Sequence, residues 1–205
     1  MTYKGFDILN WVVPIDTASL EIDNKVNIIG DYHQNRAIHI QYGTHAKVKF
    51  NISLDGATAR YNYKEFFKDK KGKHGRFFLP SFKKDYHLME DITSGSFSVR
   101  VSRAEDFTAL NTHPQFIYVQ RTETVHRVDS VEESFDDTLG APISILNLRE
   151  AIPDSVPKDC GIIENCYFGR YGSDTLTFDL YDITYSTASL EFVEVSKEEI
   201  IKEFG

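Results

Sequence analysis

Between Lys47 and Leu54 apolar and polar residues alternate without a break. Val48, Phe50, Ile52 and Leu54 fall on one face of an extended chain, and Lys47, Lys49, Asn51 and Ser53 on the other. A period of two is the signature of a strand with one buried and one wet face. Ile38, Ile40 and Tyr42 predict a preceding strand, with Gly43-Thr44 as the turn between the two. Residues 8–15 read as a buried β segment ending at Pro14, and residues 26–29 as an apolar stretch before a polar turn at Gly30-Asp31. Further strands are predicted over residues 97–102, 115–119, 124–131, 143–148, 162–171, 175–181 and 186–195. Within the strand over residues 115–119, Phe116 to Val119 form an unbroken apolar run, as a strand covered on both faces would. Leu176, Phe178 and Leu180 share one face of theirs.

Two segments break the β pattern. Tyr63, Phe66, Phe67 and Lys70 follow helical spacing, with Asn62 as the expected cap, Glu65 as its return partner and Gly72 as the stop. Ser196-Lys197-Glu198-Glu199 is a capping box ahead of Ile200, Ile201 and Phe204. Between helix and next strand lies Gly75-Arg76-Phe77-Phe78-Leu79-Pro80-Ser81. Its three large apolar residues demand burial, and Pro80 ends the run. Asp136 to Gly140 reads as a turn, and residues 149–160, with Pro153 and Pro157, as a connector.

These elements predict a mainly β protein: a β-sandwich-like domain with one short internal helix, and a smaller inserted β-barrel. Residues 1–80 with 155–205 would form the main domain and residues 81–154 the insertion. Two consecutive domains split near residue 90 are the alternative. The length, 205 residues, suits either, and the 13% aromatic content, with 15 Phe and 11 Tyr, leans towards β.

Charge narrows the partners. Lys and Arg number 23 against 31 Asp and Glu, a net charge of −8. That balance argues against nucleic acid and against an anionic membrane surface. No apolar run is long enough for a membrane span, and the N-terminus lacks the basic and apolar regions of a secretory signal. Cys160 and Cys166 lack the Cys-x-x-Cys spacing. They read as two free thiols, with at least one in the core, or as a small disulfide loop.

No catalytic constellation emerges. The histidines, His33, His39, His45, His74, His87, His113 and His126, suggest at most a two-ligand cluster of His39 with His45. The acidic doublets Glu105-Asp106, Glu132-Glu133 and Asp136-Asp137 point to opposite strand faces, not across a cleft. There is no Gly-x-Ser-x-Gly elbow and no phosphate loop. The expectation is a protein that is not an enzyme and uses no cofactor or metal. The basic run from Lys68 to Lys73 reads either as a contact for an acidic neighbouring subunit or as a solvated loop. Trp11 reads as core packing or as an interface anchor.

The order of short motifs resembles a known family. Asn10-Trp11-Val12-Val13-Pro14 is followed by the strand pair, the Phe66-Phe67 helix, residues 72–81 and Lys84-Asp85-Tyr86-His87-Leu88. After the inserted β block come Cys166-Tyr167-Phe168-Gly169-Arg170-Tyr171, Asp174-Thr175-Leu176-Thr177-Phe178 and Leu190-Glu191-Phe192-Val193-Glu194. This series resembles tail-tip proteins of long-tailed bacteriophages, of the distal-tail or baseplate type. The resemblance implies a non-catalytic virion structural protein, made in the host cytoplasm. It would form a homo-oligomeric ring that joins the tail tube to the hub, fibres or receptor-binding protein. The expected subunit contacts are Trp11, Lys47, Lys49, Lys70, Lys71, Lys73 and Arg76. A carbohydrate-binding β module, using Tyr118, Tyr167, Tyr171 or Tyr181, is the alternative.

Overall fold

A computed structural model describes residues 2–14, 19–29, 39–102, 115–137, 140–182 and 184–205. The described chain is mainly β, as the alternation predicts. It begins with β1 (Thr2–Tyr3), β2 (Phe6–Asp7), β3 (Val13–Pro14), β4 (Ser19–Ile29) and β5 (His39–Asp55), then helix α1 (Gly56–Asp69). Next come β6 (Arg76–Pro80), β7 (Tyr86–His87), β8 (Ser98–Ser102), β9 (Gln115–Val119), β10 (Thr124–Asp136) and β11 (Ala141–Leu148). After a 3-10 turn at Lys158–Cys160 follow β12 (Ile162–Tyr171), β13 (Phe178–Leu180), β14 (Tyr185–Glu194) and helix α2 (Lys197–Phe204).

The chain divides into two compact units, one of Met1–Trp11 with Phe77–Phe168 and one of Val12–Arg76 with Gly169–Gly205. Both are discontinuous. Residues 1–11, 77–80 and 155–168 group with the inner block, whereas the sequence reading assigns them to the outer one.

In the first unit β8, β11, β10, β9 and β12 pair antiparallel in that order. β7 adds two residue pairs to β12, and Leu88 meets Val101 in a single bridge. Among the described residues these links do not amount to the closed barrel expected of the insertion. A short segment joins the two sheet edges in place of a continuous ladder. One face buries Val99, Val101, Ile117, Val119, Leu146 and Ile163. Ile152 and Val156, from the predicted connector, are completely buried with them. Phe116 to Val119 are all buried, matching their unbroken apolar run.

A second core lies within the same unit. Phe78 stacks on Phe168 at 4.7 Å and meets Phe116 at 5.1 Å and Tyr3 at 5.4 Å. Phe6 packs on Phe168 at 4.8 Å. The Leu9 amide donates to the Phe78 carbonyl at 2.8 Å, tying the N-terminal segment to β6. Phe77, Phe78 and Leu79 are fully buried, as three successive apolar residues require.

In the second unit β5 pairs with β4 along residues 39–49 and with β14 along residues 47–55. Val48, Phe50, Ile52 and Leu54 are buried together with Ala188, Leu190 and Phe192 of β14. Gly43-Thr44 does not turn. The ladder runs through it, pairing Gly43 with Lys25 and Thr44 with Asn24. Residues 30–38, which include the predicted turn at Gly30-Asp31 and Ile38, lie outside the described residues.

Helix α1 starts at Gly56, well before the expected cap Asn62, and Asp55 precedes it without a side-chain cap. Tyr63 is its buried residue and meets Phe178, while Phe67 lies 4.7 Å from Tyr171. At its end Lys71 and Gly72 take left-handed conformations (φ 50° and 58°). Helix α2 has the predicted cap, Ser196 Oγ accepting from the Glu199 amide at 3.3 Å. Leu180, which shares a face with Leu176 and Phe178, is 68% exposed, because β13 is short and borders the sheet.

Candidate functional site

The basic segment after α1 is held by its own unit. Gly75 packs on the Lys70 backbone and donates to its carbonyl at 2.6 Å, leaving no space for a side chain. Gly72 lies against Asp174, whose carboxylate accepts from the Lys73 amide at 2.9 Å and faces Lys73 Nζ at 3.9 Å. Lys70 Nζ sits 2.9 Å from Asp69 and over the Phe66 ring at 5.2 Å, with its side chain largely buried. Arg76 bonds Glu199 at 3.1 Å and also Glu203, both on α2, while Arg170 reaches Glu199 at 3.9 Å. The run therefore fastens α1, α2 and the Asp174 turn. Lys71 is exposed.

Lys47 is half-buried and Lys49 exposed. The register sets Lys47 opposite Glu21 and Lys49 opposite Glu191. Trp11, in the first unit, is partly covered and 42% exposed.

The first unit contains a half-open cavity of about 350 Å³, lined by Thr2, Tyr3, Thr122, Thr124, His126 and Glu150 among others. Tyr3 Oη donates to Glu150 Oε2 at 2.8 Å, and Lys4 Nζ bonds Oε1 at 2.9 Å. Burial pushes the Glu150 carboxyl up, but the hydrogen bonds from Lys4 and Tyr3 outweigh it and hold it below the usual range. His126 is buried and its Nε2 lies 2.8 Å from Thr124 Oγ1. Burial drives the imidazole towards its neutral form against the pull of the Glu150 backbone and carboxylate. Neutral, it shares a hydrogen bond with one hydroxyl of the Thr122–Thr124 pair, whose oxygens are 2.6 Å apart. No sequence signal joins Tyr3 to Glu150, because folding alone brings the first strand to the segment after β11.

A second carboxylate cluster surrounds β12. Glu164 is 4% exposed and accepts from the Phe82 amide at 2.8 Å. Burial, with the Asp85 charge beside it, pushes its carboxyl up to about 7 despite that hydrogen bond. Asp85 accepts from the Asn165 amide at 2.7 Å and from Ser81 Oγ. Tyr86 Oη donates to Asn165 Oδ1 at 2.6 Å, and Asn10 Nδ2 donates to Tyr118 Oη at 2.8 Å.

Other candidates disperse. Cys166 is buried, Cys160 is exposed, and no disulfide joins them. His74 and His87 are exposed, His33 and His113 lie outside the described residues, and the register sets His45 opposite Asp23 and His39 opposite Ile29. Among the described residues no three His, Cys, Asp or Glu residues form a metal-holding group. Glu105-Asp106 lies outside the described residues, and Glu132 and Glu133 are exposed. Tyr118 and Tyr171 are buried, Tyr167 is half-buried and Tyr181 is 68% exposed. No described helix is long and apolar enough to cross a membrane. No protein-family model matches the chain, and no curated protein matches it.

Proposed function

We propose that this protein is a non-catalytic structural subunit of a phage tail tip or baseplate, assembling as a ring between the tail tube and the hub or receptor-binding apparatus. The supporting observation is the β4–β5 ladder. It continues for eight residue pairs, from Ile22–Ala46 to Ile29–His39, beyond the last β5 residue that pairs with β14. Over that length β5 has β4 alone as its ladder partner among the described residues. A two-stranded ribbon is marginal by itself in water, and an extra packing surface stabilises it. A neighbouring subunit provides one, and repeated round a symmetric ring the same contact satisfies every copy. The motif order that resembles tail-tip proteins points the same way, as do the exposed Trp11 and Lys71.

The test is the mass of the full chain by light scattering, with negative-stain images. A closed ring is expected, and replacing residues 25–43 by an Asn-Gly hairpin turn should give a folded monomer. A wild-type chain that stays monomeric at every concentration overturns the ring. A ring unaffected by the replacement overturns the role of the β4–β5 ribbon.

A carbohydrate-binding role draws support from one observation. Tyr181 is exposed with its ring 5.5 Å from that of Tyr185, an arrangement that offers aromatic surface beside polar groups. Selective binding on a glycan array, lost in Tyr181→Ala, would favour it over the ring.

A further inference from the structure

The Ser81–Asp85 segment is a strap laid over β12. Three backbone-level bonds hold it: Ser81 amide to Asn165 carbonyl at 2.9 Å, Phe82 amide to Glu164 Oε2 at 2.8 Å, and Asn165 amide to Asp85 Oδ2 at 2.7 Å. Inside the strap the Lys83 amide donates to Ser81 Oγ at 3.2 Å and the Asp85 amide to the Lys83 carbonyl at 3.0 Å. Phe82 is left-handed at φ 57°, a conformation unfavourable for a bulky residue and stable only when its surroundings impose it. The Glu164 carboxyl is the acceptor that fixes the Phe82 amide.

Carboxylates thus hold both ends of the strap, and one of them is buried. The titratable groups around Glu164 are Asp85 on the strap, Tyr118 on β9 and Cys166 on β12 itself. All three are neutral or anionic. Lys83 and Lys84, on the strap, are exposed, and among the described residues no cation pairs with Glu164. An ionised Glu164 is therefore short of compensation where it sits, whereas a neutral carboxyl still accepts the Phe82 amide.

We propose that the Ser81–Asp85 strap is a proton-operated clasp, seated on β12 while Glu164 is neutral and lifting when Glu164 ionises and takes its charge to water. Seated, Glu164 keeps its proton up to about pH 7. Lifted, it returns to the ordinary glutamate range near 4.3. Lifting releases a proton between those limits, so the strap is tightest in acid, loosens as pH rises and reaches a plateau above about 7.

Amide hydrogen exchange of the full chain tests this, with each rate divided by its intrinsic value. Protection of the strap amides and of Asn165 should fall by up to about tenfold per pH unit between about pH 5 and 7, then level off. Glu164→Gln, permanently neutral, should stay protected and flat across the range. Asp85→Asn, which removes the neighbouring charge, should shift the fall to lower pH. A wild-type profile that is flat from pH 5 to 8 overturns the clasp. So does a fall shared equally by the amides of Ile117 and Val119, which would report unfolding of the whole unit.

Discussion

Glu150 and Glu164 belong to the same compact unit, each accepts a short hydrogen bond, and their charge states are driven in opposite directions. Glu150 is half-buried and receives a phenol and an ammonium group, so its carboxylate is favoured. Glu164 is buried, receives one amide and lies beside Asp85, so its neutral form is favoured. The supply of donors and cations at the carboxyl decides the outcome, given enough burial to make the deficit felt. The two sites also respond oppositely to pH. Glu164 contributes fully below its unfolded value near 4.3, and that contribution is lost as pH rises to about 7. Glu150 contributes above the ordinary carboxylate range, and its contribution is lost as pH falls through its lowered value.

Phe78 is the common wall, packing on Tyr3 on one side and on Phe168 of the β12 strand that carries Glu164. Phe78→Ala should cost about 3–5 kcal/mol in urea unfolding and move both glutamates towards ordinary titration as water enters. Retention of the separate titrations by NMR would show that the aromatic wall does not set them. Glu164→Gln should stabilise the fold by about 3–4 kcal/mol at pH 8 and by almost nothing at pH 4. Equal unfolding midpoints of variant and wild type at pH 8 would remove the asymmetry between the two carboxyls. Tyr3→Phe should cost about 1 kcal/mol and raise the Glu150 titration, leaving that of Glu164 in place. A Glu150 that titrates as before would leave Lys4 as its sole anchor.

The smallest stability effect is expected at the basic turn. Lys71→Glu should leave the unfolding midpoint unchanged, since the side chain is exposed. Under the ring proposal it should nevertheless lower the assembled fraction in light scattering. Lys70, Lys73 and Arg76 are poorer probes, because their internal partners Asp69, Asp174, Glu199 and Glu203 would be disturbed as well.

Much of the β framework was legible because each strand signal is local. The alternation from Lys47 to Leu54, the unbroken apolar run of residues 116–119 and the capping box at Ser196 each reflect neighbours within a few positions. Where local preference misled, a longer-range partner prevailed. Gly43-Thr44 suits a turn, but pairing with Asn24 and Lys25 draws it into a strand. Asn62 suits a cap, but α1 continues back to Gly56, whose amide is bound by the Thr184 carbonyl.

The sequence by itself determined that the chain is mainly β, which strand faces are apolar, and that Phe77, Phe78 and Leu79 must be buried. Apolar burial follows from residue type and period, both local properties. Only the tertiary structure decided which charges are neutralised and which carboxyl is stranded. It took Lys70, Lys73 and Arg76 into internal ion pairs, joined Tyr3 and Lys4 to Glu150, and set the strap on Glu164. Electrostatic state depends on what lies within a few ångströms in space, and for these residues most of it comes from distant parts of the chain.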